Sequence, residues 1–91
     1  MATSTPIEEA RNVGPVTAKE LRAVGIDTVE KLKGMGWEAA FETIVLAFPA
    51  RLNVNMAVGL IGVVEGCHWQ KVPAAMKAEA RELVQALKAT R

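Results

Sequence analysis

Apolar residues recur every three to four positions along two stretches of the chain, the spacing of one face of an amphipathic helix. The first stretch predicts a helix that begins at Trp37 and ends before Pro49. The second predicts a helix that Pro73 opens, with one apolar stripe formed by Met76, Ala80, Leu83, Val84 and Leu87. Charged and amide residues lie opposite that stripe, so the helix should pack its apolar side against a core.

Residues 52–64 contain no charged side chain and are apolar on every side, which fits either a buried helix or a buried strand. The length of the stretch favours a helix, and a lone strand would have no visible partner. Asn53 or Asn55 can cap the start of this helix, and Gly66 can end it. The stretch is too short to span a bilayer, so no membrane association is expected.

Two short helices are predicted at the start of the chain. Thr5 and Glu8 form a capping-box pattern, which predicts a helix over residues 6–11. The turn residues at positions 12–14 break this helix. A proline follows the break, and it can begin a second helix over residues 15–24.

Asp27 and Glu30 form a second capping pattern, from which a third helix should run to the glycines at positions 34 and 36. The expected fold is therefore all-α, a compact bundle of five to six short helices. Its predicted core consists of the larger apolar side chains: Trp37, Phe41, Ile44, Phe48, Leu60, Ile61, Trp69, Leu83 and Leu87.

The 91 residues should form one domain, with an ordered core over about residues 6–89. Hydrophobic residues make up 51% of the chain and charged residues 23%, as in globular rather than disordered proteins. The formal net charge of +1 excludes a strongly basic DNA-coating protein. Cys67 has no second cysteine to pair with, and no leader pattern is visible, so a cytoplasmic location is expected.

The chain holds few groups that could perform catalysis. Cys67 and His68 are its only cysteine and histidine, whereas a nucleophilic or general-base site needs several converging titratable groups. A metal centre would need at least two further ligands at suitable spacing, and none is visible. We therefore expect no enzymatic activity, cofactor, metal or small-molecule substrate.

The segment between the first two predicted helices is more informative. A helix N-terminus presents backbone amides without acceptors, and these amides can hold an anion. The expected donors are the amides of Val16 and Thr17, since Pro15 has no N–H. A phosphate group is the natural candidate for such a site.

This segment resembles the helix-hairpin-helix motif, in which a Gly-hydrophobic-Gly hairpin grips a DNA phosphate. Asn12 replaces the first glycine, Val13 is the expected inward plug, and Gly14 is expected to adopt the left-handed conformation. Lys19 and Arg22 would add contacts to the phosphates. The same pattern also fits a simple corner between two helices with no ligand.

A wider set of residue blocks resembles the C-terminal domain of the TfoX (Sxy) bacterial competence regulators over about residues 7–85. The blocks are Arg11-Asn12-Val13-Gly14-Pro15, Leu21-Arg22-Ala23-Val24-Gly25-Ile26-Asp27-Thr28-Val29-Glu30-Lys31-Leu32, Leu52-Asn53, Gly62 and Gly66-Cys67-His68-Trp69. This resemblance implies a small helical bundle with a helix-hairpin-helix-like start. It also implies a link to competence regulation or DNA transactions. The separate N-terminal domain of full-length members is not expected in this chain.

Two functions remain open. The first is weak, sequence-independent binding of the DNA backbone through the hairpin. The second is a protein–protein interaction module in the regulation of competence or transcription, without direct DNA contact. Residues 1–35 hold five basic and five acidic side chains, so charge does not separate the two. Apolar surface on residues 52–64, or near Met35 and Met76, would then serve a regulatory protein or a homodimer.

Overall fold

The computed structural model describes residues 4–90 and places most of them in five α-helices. The helices are α1 (Pro15–Ala23), α2 (Val29–Met35), α3 (Trp37–Ala47), α4 (Val54–Glu65) and α5 (Ala74–Ala89). Single turns of 3-10 helix lie at Ile7–Glu9, Pro49–Arg51 and Trp69–Lys71. These bounds confirm the all-α fold. Within residues 4–90, none of the helices combines the length and apolar character needed to cross a bilayer.

Helix α4 lies at the centre of the bundle and packs against α2, α3 and α5. All its residues from Met56 to Val63 are buried, apart from the half-buried Gly59. Burial contributes roughly 1.5–3 kcal/mol for each large apolar side chain. The uncharged stretch is thus the central helix of the fold, and the prediction of a helix rather than a strand is confirmed.

Both ends of α4 are fixed by residues that the sequence indicated. Asn53 Oδ1 accepts a hydrogen bond from the Met56 amide at 2.8 Å, which caps the helix start. At the other end Gly66 adopts the left-handed conformation, with a φ of 72°. The Cys67 amide then donates to the Gly62 carbonyl at 2.9 Å. The chain therefore leaves α4 along a defined path.

The helix predicted over residues 6–11 is wrong, because only one 3-10 turn forms there. The residues before this turn are extended and pair with the segment that precedes α2. The Ile7 amide donates to the Asp27 carbonyl at 3.0 Å, and the Val29 amide donates to the Thr5 carbonyl at 2.9 Å. These long-range bonds satisfy backbone groups that a helix would have paired locally.

The capping box expected at Thr5 also fails to form. The Thr5 amide donates to the Glu30 carboxylate at 2.7 Å, so it does not need the Glu8 side chain. Glu8 instead binds Arg22 on α1. Both contacts hold the N-terminal segment against the first two helices.

Helix α2 begins one residue later than its capping pattern indicated. Thr28 rather than Asp27 is the N-cap, and its hydroxyl accepts a hydrogen bond from the Lys31 amide at 3.1 Å. The Asp27 carboxylate lies 3.0 Å from Lys31 Nζ. Gly34 lies inside α2, whereas Gly36 ends the helix with a φ of 87°.

The predicted core is confirmed for five side chains, all buried: Trp37, Phe41, Ile44, Leu60 and Ile61. Phe48, Leu83 and Leu87 are only half-buried, and of these Leu83 and Leu87 pack against the buried core. Trp69 was wrongly placed in the core, since 45% of it is exposed on the last 3-10 turn. The core also includes five large, fully buried side chains from outside the predicted set: Ile7, Leu21, Ile26, Leu32 and Val84.

Candidate nucleic-acid interface

The turn before α1 has its left-handed residue at Asn12, with a φ of 74°. Gly14 has a φ of −86° and a ψ of 175°, an extended conformation open to any residue. The expectation of a left-handed Gly14 is therefore wrong, and a Cβ atom there would meet nothing within 4 Å. Val13, the expected plug, is half-buried and packs against the core.

The side chain of Asn12 joins this turn to the far end of α4. Its Nδ2 donates to the carbonyl oxygen of Cys67 at 3.1 Å and to that of Gly59 at 3.4 Å. Its Oδ1 accepts a hydrogen bond from the Trp69 amide at 3.0 Å. Asparagine suits the position because it tolerates the left-handed backbone and offers both donors and an acceptor. A phosphate contact by Asn12 would therefore use its backbone.

Gly62 leaves space for this contact. A Cβ atom at position 62 would lie 2.2 Å from Asn12 Nδ2 and 2.7 Å from the Cys67 carbonyl oxygen. A Cβ atom at Gly59, one turn earlier on α4, would lie 4.0 Å from the nearest atoms of Asn12. The close approach of the turn to α4 thus requires glycine at position 62 and tolerates a methyl group at position 59.

A cleft opens beside the turn, and we call it the turn cleft. It consists of two cavities that share Asn12 and Asn55 in their walls. One cavity, of about 200 Å³, extends to Thr17 and Arg51. The other, of about 280 Å³, extends to Trp69. Arg51 therefore lies in the wall of one cavity and Trp69 in the wall of the other, with Asn12 and Asn55 common to both.

The N-termini of α1 and α4 both adjoin the turn cleft, because Thr17 and Asn55 line it from the first turns of these helices. Amides in a first helical turn have no acceptor within their own helix. The donors predicted at Val16 and Thr17 belong to this class. The partial positive charge of each helix N-terminus makes the turn cleft favourable for an anion.

Two arginines near the turn are engaged by carboxylates. Arg22 donates to both carboxylate oxygens of Glu8, with its Nη2 atom 2.7 Å from Oε1. This hydrogen bonding lowers the pKa of the Glu8 carboxyl to about 2. Arg51 donates from Nε to Glu20 at 2.7 Å. A phosphate that binds Arg22 would have to compete with Glu8, so the predicted Arg22 contact is weakened.

Arg11 and Lys19 differ from these arginines. Both side chains are exposed, and within residues 4–90 neither forms a salt bridge. They flank the first turn of α1 on its two sides in sequence. Of the basic residues near the turn, they are therefore the ones best placed to meet a phosphate without displacing a carboxylate.

Cys67 and His68, the candidate catalytic residues, make hydrogen bonds that order the segment after α4. The Cys67 carbonyl accepts the bond from Asn12, and the thiol is half-buried. His68 Nδ1 accepts a hydrogen bond from the Gln70 amide at 3.2 Å and caps the last 3-10 turn. Both residues thus help to position Trp69.

A second concave surface lies between the C-terminal ends of α3 and α5, and we call it the outer groove. It has a volume of about 410 Å³ and is lined by Glu42, Thr43, Val45, Leu46, Pro49, Leu87 and Thr90. Leu46 is 86% exposed there, against 40% for Met35. Met76 is half-buried, and α4 is covered by its neighbours. The largest apolar exposure is therefore on α3, which the sequence had not indicated.

A family model described as the TfoX C-terminal domain matches residues 3–84. The chain belongs to this family. Its structure is similar to the crystal structure, in a triclinic form, of an uncharacterized protein from Listeria monocytogenes. The two chains are 28% identical, with a TM-score of 0.87 over 92% of this chain and 94% of that one. A search of curated proteins gives no match.

Three residues beside the turn were predicted only in other roles or as part of the family resemblance, and not as members of the site of this TfoX C-terminal domain: Asn55, Gly62 and Trp69. For Gly62 a signal existed, because glycine inside a helix costs about 1 kcal/mol relative to alanine and so suggests a close approach. Trp69 follows a helix end without any periodic pattern. Its exposure therefore could not be predicted from neighbouring residues.

Proposed function

We propose that this TfoX C-terminal domain is a non-enzymatic module of the bacterial cytoplasm that binds the nucleic-acid backbone weakly and without sequence preference. The turn cleft supports this function, since two helix N-termini adjoin one cleft beside the turn. The phosphate contacts are the amides of Val16 and Thr17, and the exposed side chains of Lys19 and Arg11, close to them in sequence, add positive charge. Asn12, Val13 and Gly14 shape the turn.

The charge around the turn explains why such binding is weak. Glu8 and Glu20 engage two of the nearby arginines, so few cations remain to release counterions from the nucleic acid. With about two to four phosphates engaged, the logarithm of the affinity should fall against the logarithm of the salt concentration with a slope of roughly −2 to −4. A link to competence regulation would follow from the family.

Reversing the charge at the turn should weaken duplex binding selectively. In the double variant Arg11→Glu and Lys19→Glu, two phosphate contacts are lost. Affinity for a short labelled duplex at low salt should therefore fall about tenfold or more, and the salt slope should become shallower by about two. Fluorescence anisotropy of the duplex measures both quantities.

A charge-matched control is available on α5. Arg81→Glu with Lys88→Glu makes the same change in net charge on exposed residues of a helix that does not line the turn cleft. This variant should retain most of the parent affinity. Equal losses in both double variants, or no duplex binding by the parent at low salt, would exclude a backbone site at the turn.

The outer groove favours a second candidate, a protein-interaction module whose partner is a second copy of the chain. Leu46 projects beside a groove that is walled by Val45, Pro49 and Leu87. In a two-fold dimer, each Leu46 can enter the groove of the other copy, since the same surface offers both the projection and the recess. The dimer would remove from water the side chain of Leu46, which is the most exposed large apolar side chain among the described residues.

Sedimentation equilibrium tests this dimer. The parent should show a concentration-dependent rise above the 9.8 kDa monomer mass, and Leu46→Lys should remain monomeric because it places a charge in the interface. Lys88→Ala, also exposed near the end of α5 but outside the groove lining, should behave as the parent. A parent that stays monomeric at high micromolar concentration would exclude the homodimer.

A further inference from the structure

The two tryptophans of the chain have opposite environments. Trp37 is 5% exposed and belongs to the core, whereas Trp69 is 45% exposed and lines the turn cleft. Exposing an indole ring to water forgoes the stabilisation that burial of so large an apolar surface gives. A fold that buries Trp37 and leaves Trp69 in the wall of a cleft therefore places an aromatic platform at a position where a ligand ring can stack.

Trp69 is held in position by its neighbours. Its backbone amide donates to Asn12 Oδ1 at 3.0 Å, and the His68 ring lies against the indole with a centroid distance of 5.5 Å and an interplanar angle of 33°. The His68–Gln70 hydrogen bond closes the same 3-10 turn. Because the backbone at Trp69 is already ordered, the protein would lose little conformational entropy when a ligand stacks on the indole.

Asn55 lies between the two ends of the turn cleft. Its side chain is exposed, lines both cavities, and makes no hydrogen bond within residues 4–90. An asparagine amide offers a donor and an acceptor side by side, which is the pattern presented by the edge of a nucleobase. The other end of the cleft contains Thr17 and Arg51.

We propose that the turn cleft binds an unpaired nucleotide of single-stranded nucleic acid, with the base stacked on Trp69. Asn55 contacts the edge of the base, and the phosphate lies toward Thr17 in the first turn of α1, because the nearby Arg51 is engaged by Glu20. This inference rests on the proposed backbone binding and adds a contact that double-stranded DNA cannot make. In a duplex each base is stacked on its neighbours and paired, so it must be flipped out before it can reach the indole.

Three oligonucleotides of equal length separate base stacking from backbone binding. These are an oligo-dT single strand, an abasic single strand with the same phosphates, and a duplex. The parent should bind oligo-dT about five- to a hundredfold more tightly than the abasic strand at the same salt concentration, the range expected for stacking of one base. Binding of oligo-dT should also quench the fluorescence of the exposed Trp69.

Substitutions then assign the preference to the platform. Trp69→Ala should bring the affinity for oligo-dT close to that for the abasic strand, and Trp69→Phe should retain an intermediate preference because a smaller ring still stacks. Asn55→Ala should reduce the preference less than Trp69→Ala does. Gln85→Ala removes an exposed side-chain amide on α5, outside the turn cleft, and it should leave the ratio unchanged.

The outcomes distinguish this inference from the proposed function. If oligo-dT and the abasic strand bind equally and the duplex also binds, base stacking is excluded while backbone binding stands. If none of the three binds at low salt, both are excluded. If circular dichroism shows that Trp69→Ala loses helical content, Trp69→Phe is used instead. The stacking of a base on Trp69 would then be excluded if Trp69→Phe prefers oligo-dT as strongly as the parent does and oligo-dT does not quench the parent's fluorescence.

Discussion

Replacing Gly62 by alanine is expected to destabilise the fold, although alanine is the better helix former. The new Cβ atom would lie 2.2 Å from Asn12 Nδ2 and 2.7 Å from the Cys67 carbonyl oxygen, and the second of these atoms is backbone. Overpacking of this kind typically costs about 1–3 kcal/mol. The displaced Asn12 side chain would also lose hydrogen bonds that it makes across the turn.

Gly59→Ala is the matched control, because it makes the same substitution one turn away on the same helix. Its Cβ atom would lie at an ordinary contact distance of 4.0 Å from Asn12. The gain in helix propensity, about 0.5–1 kcal/mol, should then make this variant as stable as the parent or slightly more stable. Urea denaturation of both variants measures the difference. Equal stability of the two variants would contradict the close approach at Gly62.

The sequence predicts the helices well where the capping residues and the spacing of apolar residues indicate the same helix. Asn53 and Gly66 lie at the two ends of a long apolar stretch, and each performs the local role that its type favours. The spacing of apolar residues after Trp37 likewise predicts which face of α3 is buried. Local physical preferences and tertiary packing select the same conformation in these segments.

The start of the chain shows where this agreement ends. The pattern around Thr5 and Glu8 is a favourable capping box, yet the backbone there bonds to residues twenty or more positions away. Pairing with the segment before α2 also allows Ile7 to be fully buried. A tertiary gain of this size outweighs the small intrinsic preference for a short helix, and no local pattern reveals it.

The site was predictable where it depends on local residue types and unpredictable where it depends on tertiary packing. The turn at residues 12–14 and the amide donors after Pro15 follow from residue types alone. The partner of the Asn12 side chain lies 55 residues further along the chain, and the exposure of Trp69 depends on how the chain leaves α4. The turn was therefore predictable, whereas the cleft beside it required the packing of α4 against that turn.

Asn12→Asp is expected to destabilise the fold at neutral pH by about 1–3 kcal/mol, the usual cost of leaving partly buried hydrogen-bonding groups unpaired. Aspartate tolerates the left-handed backbone much as asparagine does, so the variant changes the hydrogen bonds and spares the turn. The acceptor for the Trp69 amide remains. Both Nδ2 donors are replaced by an oxygen that faces the carbonyl oxygens of Cys67 and Gly59.

The destabilisation by Asn12→Asp should shrink as the pH is lowered, and this dependence identifies its cause. The two facing carbonyl oxygens disfavour the charged form, so the pKa of the introduced carboxyl is higher in the folded state than in the unfolded state. A group of this kind destabilises the protein above its folded pKa, and the penalty disappears below the unfolded value, near pH 4. Asn55→Asp, at an exposed position in the first turn of α4, should show no penalty at neutral pH, because the helix N-terminus favours a negative charge. Urea denaturation near neutral pH and near pH 4 gives the comparison. A penalty that is absent at neutral pH would mean that the amide of Asn12 does not bridge the turn to α4.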